Sequence, residues 1–258
     1  MRLEGKSLSF SYEKKYILNN LHLEIKSALL TSITGPNGVG KSTLLKCLSN
    51  ISSLQKGVVY LDGRAINNIK SSELARTLAY VPQKEASSFS ITVYEMILLG
   101  RRPYIKWRVQ DSDKKLVNNI ISKLKIEHLA DRDVNTLSGG ERQKIAIARA
   151  LAQEPEILFL DEPTANLDIN HQLEVMKILQ KLTRSEMTTV VTVLHDINLA
   201  SRYSDRIFLM EPGGIFTIGT PDKVFTSERL KKIYNIDVEI IKTSSGNHII
   251  PIDAGDNN

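Results

Sequence analysis

Near its N-terminus the chain reads Gly35-Pro36-Asn37-Gly38-Val39-Gly40-Lys41-Ser42-Thr43. The apolar run 29–34 before it is typical of a buried strand, and residues 42–48 after it have helical spacing. Strand, glycine loop and helix in this order fit the pattern G-x-x-x-x-G-K-[ST]. Glycines let the backbone turn its N–H groups inward around phosphate oxygens, at a helix N-terminus that already attracts anions. This agreement favours a phosphate-binding loop over a chance glycine turn.

The side chains of this loop have separate predicted tasks. Lys41 reaches the β- and γ-phosphates of a nucleotide, and Ser42 holds Mg²⁺. The other predicted nucleotide-binding positions of the loop are Gly35, Pro36, Asn37, Gly38, Gly40 and Thr43.

A second apolar run, 157–160, ends in Asp161-Glu162-Pro163. Carboxylates at the C-terminal end of a buried strand lie where open α/β sheets bind their ligands. We expect Asp161 to be an outer-shell carboxylate for Mg²⁺ and Glu162 to orient or deprotonate an attacking water. Alone, the same residues fit a strand that ends in a solvated turn; the phosphate loop favours the functional interpretation.

A third segment, 137–143, reads Leu-Ser-Gly-Gly-Glu-Arg-Gln and precedes a helical pattern over 144–152. Ser138 is a good N-cap, and Gly139 and Gly140 leave backbone N–H groups open, so this helix start is another anion site. The segment resembles the signature motif of the ATP-binding cassette (ABC) ATPases.

The resemblance implies a fold and an assembly. The fold is α/β: a P-loop NTPase (RecA-like) core with an antiparallel β subdomain and an inserted α-helical subdomain. Residues 1–258 form a single nucleotide-binding domain, with the helical subdomain at about 84–137. In the family two copies pack head to tail, and the signature of each closes on the nucleotide at the other's phosphate loop. The implied active unit is a homodimer with ATP and Mg²⁺ as cofactors.

Four further positions match the family pattern. Tyr12 matches an aromatic that stacks on adenine, and Gln83 matches a glutamine that touches Mg²⁺ and the attacking water. Asp168 matches the loop that crosses the dimer interface, and His195 matches a histidine that contacts the γ-phosphate. An ordinary strand tyrosine and a structural histidine are the alternatives for Tyr12 and His195. The resemblance thus makes the catalytic set Glu162, His195, Gln83 and Lys41.

The chain departs from the family pattern at two turns. Ala28-Leu29 stands where members often have Gly-Glu, and Ala165 stands where a serine often precedes the interface loop. These changes affect turns, and no catalytic group is lost.

Composition narrows the class of protein. The chain has 258 residues, a formal charge of +5 and one cysteine, Cys47. A single cysteine excludes a disulfide within the chain and favours a reducing compartment. The basic residues are spread along the chain without interleaved aromatics, which favours a solvated surface over nucleic acid. No apolar stretch approaches the roughly 18 residues of a membrane span.

The segment from about 84 to 136 interrupts the β/α alternation and is predicted to be helical. Thr92 can cap a helix over 93–99 with Gly100 as its stop, and Asp111 can cap a second helix. In the family this insertion receives a cytoplasmic helix of the permease, so the surface around Met96, residues 100–104 and Trp107 is a candidate contact. Met96 and Trp107 filling a small core is the equally supported alternative.

Segments 151–155, 171–175 and 194–206 are similar to the ATPases of metal-chelate importers. The similarity implies an ATP-hydrolysing subunit for uptake of an iron-siderophore, haem or cobalamin, peripheral at the cytoplasmic face of the cell membrane. Its implied partners are integral-membrane permease subunits and, indirectly, a substrate-binding protein. The cargo is not encoded here, because the ATPase never touches it. An ABC ATPase for another cargo, one outside transport, and a catalytically silent subunit are the alternatives.

Overall fold

The computed structural model describes residues 2–12, 15–83, 90–244 and 246–254. Its strands are β1 (Leu3–Tyr12), β2 (Lys15–Ile25), β3 (Leu30–Thr34), β4 (Lys56–Leu61), β5 (Arg64–Ala65), β6 (Leu78–Val81), β7 (Ile157–Asp161), β8 (Thr189–Val193), β9 (Arg206–Glu211), β10 (Gly214–Gly219), β11 (Ile236–Thr243) and β12 (Gly246–Ala254). Its helices are α1 (Lys41–Leu48), α2 (Ser71–Thr77), α3 (Val93–Leu99), α4 (Asp111–Leu124), α5 (Gly139–Leu151), α6 (Ile169–Glu186), α7 (Ile197–Tyr203), α8 (Pro221–Val224) and α9 (Ser227–Tyr234).

The central sheet has the strand order β10-β9-β3-β8-β7-β6. Strands β9, β3, β8, β7 and β6 are parallel, and β10 pairs antiparallel at the edge. Every residue of β3, β7 and β8 is buried, as expected for parallel strands covered on both faces. In β7, Leu158 and Leu160 face one hydrophobic core while Ile157 and Phe159 face the other.

The two cores lie on opposite faces of this sheet. One core contains apolar side chains of α3 to α7, and the other contains those of α1 and of the antiparallel sheet β2-β1-β4-β5. This arrangement confirms the predicted α/β class with an antiparallel β subdomain. A two-stranded hairpin, β11–β12, packs beside α7 and α9.

The inserted helices α3 and α4 pack on α5 and share its core. Thr92 caps α3 as predicted: its hydroxyl accepts from Glu95 N, and the Glu95 carboxylate accepts from Thr92 N. The predicted cap of α4 is wrong by one residue. Gln110 is the N-cap, because Asp113, one turn into the helix, reaches back to accept from Gln110 N at 2.9 Å. The predicted start of the subdomain, at about 84, lies outside the described residues.

Gly100 ends α3 for a reason that the sequence does not reveal. Its φ of −60° is right-handed, so the turn does not require glycine. A Cβ at this position would collide with Arg149 O, in the last turn of α5, and lie 2.8 Å from the Cβ of Ala152, the residue after that helix. Gly100 therefore allows two helices to approach closely.

The sequence left open whether Met96 and Trp107 form a contact surface or fill a small core, and the structure gives a different answer for each residue. Met96 is 9% exposed and Arg101 is 7% exposed, so both belong to the interior. Trp107 is 98% exposed and does not fill a core. The predicted contact surface is thus reduced to Trp107 and its exposed neighbours.

The turn before β3 keeps a left-handed conformation without a glycine. Ala28 has φ of +56°, and its N–H donates to Thr189 Oγ1 at 3.0 Å.

Within the described ranges, no helix combines the length and apolarity needed to cross a bilayer.

We predict that Gly100→Ala destabilises the protein. Replacing glycine by alanine at a right-handed helix end usually stabilises, but here the added methyl meets the α5 backbone, at a cost of about 1–3 kcal/mol in the free energy of unfolding. Chemical denaturation measures the change. Gly139→Ala is the matched control, because a Cβ there meets Leu167 at an ordinary 3.7 Å. A Gly100→Ala protein as stable as this control would contradict the close-packing explanation.

Candidate functional site

The ends of four neighbouring parallel strands assemble the site. In the sheet order β3-β8-β7-β6, the phosphate loop follows β3 and His195 follows β8. Asp161 ends β7, Glu162 comes next, and Gln83 follows β6. Because the strands are parallel, these carboxyl ends lie at one edge of the sheet, where α/β folds bind ligands.

The phosphate loop closes around Lys41. Gly35, Gly38 and Gly40 have φ of 145°, 79° and 100°, values that favour glycine, and α1 begins at Lys41. The Lys41 ammonium donates to Gly35 O and Pro36 O, both at 2.8 Å. Burial lowers the pKa of Lys41, and the charges of Glu162 and Asp161 oppose this shift. The loop therefore holds a buried cation next to two carboxylates.

Asp161 receives hydrogen bonds from two hydroxyl groups. Ser42 Oγ donates to Asp161 Oδ1 at 2.6 Å, and Tyr80 Oη donates to Oδ2 at 3.1 Å. Burial, with the added negative charge of Asp161, raises the pKa of Tyr80, so the phenol stays protonated and remains a donor. The predicted pair Ser42 and Asp161 is thus in direct contact, and Tyr80 orients the carboxylate.

Glu162 is the point where the other predicted catalytic residues meet. Its backbone has φ of +52°, which turns the chain sharply after β7. His195 Nε2 lies 2.6 Å from Glu162 Oε1, and Gln83 Nε2 donates to Glu162 Oε2. The Glu162 side chain is 15% exposed and that of His195 is 43% exposed. The carboxylate is therefore held between two polar side chains at a site open to solvent.

The signature segment forms a separate, capped helix start. Ser138 is the N-cap of α5: its hydroxyl accepts from Glu141 N, and the Glu141 carboxylate accepts from Ser138 N at 2.7 Å. In the described part of the chain, no hydrogen bond joins residues 138–140 to the phosphate loop. The structure therefore brings the phosphate loop and the predicted catalytic residues together, and it leaves residues 138–140 apart from them.

Asp168, in the loop predicted to cross the dimer interface, contacts His171, and His171 in turn packs on the signature segment. Asp168 caps α6, accepting from His171 N at 2.9 Å, and its other oxygen lies 2.7 Å from His171 Nδ1. Hydrogen bonds from His171 hold the pKa of Asp168 below its usual value. A Cβ at Gly140 would overlap the His171 ring, so this ring packs directly on the signature glycine.

Tyr12 lies at the end of β1, 56% exposed, with its ring edge-on to Phe10 at 4.9 Å. The next strand brings this hairpin to the phosphate loop, because a Cβ at Gly40 would collide with Ile17 of β2. An exposed aromatic in this hairpin suits a stacking role. Its contact with adenine stays a prediction.

The family model described as "ABC transporter" matches residues 18–165. The chain belongs to the ABC transporter family. It is 42% identical over 252 residues to an uncharacterised ABC transporter ATP-binding protein of Methanocaldococcus jannaschii, covering 98% of each chain. It is 40% identical over 244 residues to the ferric enterobactin transport ATP-binding protein of Escherichia coli, covering 93% of this chain and 89% of the relative.

Solved structures agree with this assignment. A structure described as a metal-chelate type ABC transporter, facing inward, matches with a TM-score of 0.85 and 28% identity over 97% of each chain. A dimeric ATP-binding cassette in a post-hydrolysis state, bound to ADP and Pi, matches with a TM-score of 0.75 and 30% identity. That match covers 85% of this chain and 98% of the cassette. The protein is therefore an ABC ATPase.

Sequence reasoning assigned no role at the site to two residues. Tyr80 lies in an ordinary strand pattern, and His171 begins a segment that was used only for the resemblance to metal-chelate importers. Tyr80 contacts Asp161 from the neighbouring strand, a contact made by tertiary structure. His171 contacts Asp168 within the first turn of α6. For His171, its position three residues after the capping Asp168 is the signal that points to the contact.

We predict that Tyr12→Ala weakens ATP binding. Loss of an aromatic that stacks on a base costs about 1–3 kcal/mol, roughly tenfold or more in Kd. Equilibrium binding of ATP measures it. Tyr16→Ala is the matched control, since Tyr16 is 53% exposed on the partner strand of the same hairpin. An unchanged Kd for Tyr12→Ala, or an equal loss for Tyr16→Ala, would leave Tyr12 without a specific role.

Proposed function

We propose that this protein is the ATP-hydrolysing subunit of an importer that carries a metal chelate, of the iron-siderophore, haem or cobalamin class, across the cell membrane. The observation that carries the hydrolytic part is the convergence of Gln83 and His195 on the Glu162 carboxylate beside the phosphate loop. The relationship to a ferric enterobactin transport protein and to a metal-chelate type transporter supports the cargo class.

The groups around Asp161 suit Mg²⁺ as cofactor. Ser42 Oγ and a carboxylate oxygen lie 2.6 Å apart, and Mg²⁺ prefers a few protein oxygens together with phosphate oxygens and water. Ser42, Asp161 and the Gln83 amide would hold the ion. Bound there together with ATP, the ion would supply positive charge that offsets the negative charge developing on the phosphate oxygens.

Glu162 is the general base in this proposal. Its carboxylate takes a proton from a water whose oxygen attacks the γ-phosphorus in line, and the bond from that phosphorus to the β–γ bridging oxygen breaks, giving ADP and phosphate. Gln83 and His195 hold the carboxylate from both sides. His195 also lies beside the reaction centre, where Lys41 offsets negative charge on the transferred group.

The active unit is proposed to be a homodimer. The N-terminus of α5, with Ser138, Gly139 and Gly140, is suited to bind a second anion, and it makes no hydrogen bond to the phosphate loop of the same chain among the described residues. The similarity to a cassette that is dimeric with ADP and Pi supports a composite site. In it, Ser138 of one copy and Lys41 of the other bind one ATP, and Asp168 lies at the junction.

The insertion is the proposed permease contact. A cleft of about 540 Å³ lies between the core and the insertion, with Gln83, Asn135 and Arg142 in its lining. Trp107, in the same insertion but not among the residues that line the cleft, is 98% exposed between the cations Lys106 and Arg108. An aromatic and a groove of this kind suit a cytoplasmic helix of a membrane subunit. The protein would then be peripheral at the cytoplasmic face, with a substrate-binding protein acting on the permease.

We predict that Glu162→Gln separates binding from turnover. The amide cannot accept the proton of the attacking water, so kcat falls about 100-fold or more, while the Kd for ATP stays within a few-fold. Because ATP then persists between the subunits, a lasting ATP-bound dimer forms in size-exclusion chromatography. Phosphate release and equilibrium binding provide the measurements.

Glu127→Gln, at an exposed position in a short 3₁₀ turn, is the control for losing one carboxylate. It should hydrolyse ATP like the unmodified protein. Full hydrolysis by Glu162→Gln would remove Glu162 from the role of base.

We also predict a specific uptake defect. A strain lacking this chain should lose import of one chelate among labelled ferric siderophores, haem and cobalamin, and regain it with the unmodified chain but not with Glu162→Gln. A polytopic permease should co-purify from membranes. Unchanged uptake of all these chelates, or co-purification with nucleic acid, would favour another cargo or a role outside transport.

A further inference from the structure

The C-terminal hairpin β11–β12 packs against α7, the helix that begins two residues after His195. Helix α7 has seven residues, and isolated helices of this length are not stable on their own. Its Leu199 and Ala200 side chains pack into the core of the domain. The position of this helix therefore depends on its tertiary contacts, and the hairpin supplies some of them.

Asn198 joins α7 to the hairpin with both groups of its side-chain amide. Nδ2 donates to Ile249 O at 3.0 Å, and Oδ1 accepts from Ile249 N at 2.7 Å. Ile249, on β12, is 1% exposed. The asparagine thus pairs with one buried residue of the strand as a neighbouring strand would, and this fixes both distance and orientation.

The same residue lies within the cap that follows His195. Asp196 Oδ1 accepts from Asn198 N at 2.7 Å and from Leu199 N at 3.0 Å. Asn198 is therefore held through its backbone by the cap and through its side chain by the hairpin. The ring of His195, which adjoins this cap, lies 2.6 Å from the Glu162 carboxylate.

A second bond between the same elements lies farther from the site. Ser201 Oγ donates to Asn247 O at 3.0 Å, about one helical turn beyond Asn198. It ties the hairpin to α7 without touching the cap, and so offers a matched control.

We propose that Asn198 is a positioning residue that uses the C-terminal hairpin to fix the start of α7, and through it the ring of His195 against Glu162. The inference rests on the catalytic role of His195 in the proposed function. It makes strand β12, which lies more than 50 residues after His195 in the sequence, part of the support of the catalytic site.

The test compares Asn198→Ala and Ser201→Ala in the full chain. Asn198→Ala should lower kcat roughly 10- to 100-fold, because a small displacement of a reacting group is costly, and leave the Kd for ATP unchanged. Ser201→Ala should keep kcat within about twofold of the unmodified value. Combining Asn198→Ala with His195→Ala should be no slower than His195→Ala alone, since a residue acting through His195 has nothing further to lose.

Nuclear magnetic resonance of histidine-labelled protein gives a readout that does not depend on turnover. The His195 ring signal, assigned by His195→Ala, should shift or broaden in Asn198→Ala and stay in place in Ser201→Ala. Circular dichroism and the ATP Kd establish that each variant is folded. Full turnover of Asn198→Ala, additive losses in the double variant, or equal defects for both single variants would overturn the inference. Full turnover of His195→Ala would instead contradict the proposed role of His195, while the ring signal still tests its positioning.

Discussion

The buried ammonium group of Lys41 is the charge around which the site is organised. The side chain is 5% exposed, and two loop carbonyls and the field of Glu162 and Asp161 compensate its burial. A buried cation without such partners would be costly. The loop after β3 and the acidic end of β7 must therefore lie together, and this requirement constrains how the central sheet is assembled.

The parallel sheet meets that requirement by its strand order. The strands β3, β8, β7 and β6 lie side by side, and each delivers one part of the site at its carboxyl end. Residues far apart in the chain, such as Gln83 and His195, thereby reach the same carboxylate, Glu162. Outside this edge, the hairpin β11–β12 extends the support of the site to the far end of the chain through Asn198.

Sequence reasoning succeeded where the physical cause is local. The strand, glycine loop and helix around Lys41, and the capping of α3 by Thr92, depend on neighbouring residues, and both are found. The predicted N-cap of α4 was wrong by one residue. The carboxylate that accepts a hydrogen bond from the start of the helix belongs to Asp113, which accepts from Gln110 N, and Asp111 is the first residue of the helix. Sequence reasoning placed the end of α3 at Gly100 correctly but did not reveal why this position is glycine, because the atom that excludes a side chain there belongs to α5.

The sequence by itself determined the phosphate loop, the acidic strand end and the signature, because each is a pattern of backbone conformation and charge along a short stretch. The family resemblance that these motifs carry implied the class of fold. The tertiary structure decided which side chains meet. Tyr80 on Asp161, His171 on Gly140 and Asn198 on Ile249 depend on strand order, register and packing. These contacts join residues whose separation along the chain carries no local signal, so they become visible when the sheet and its helices are assembled.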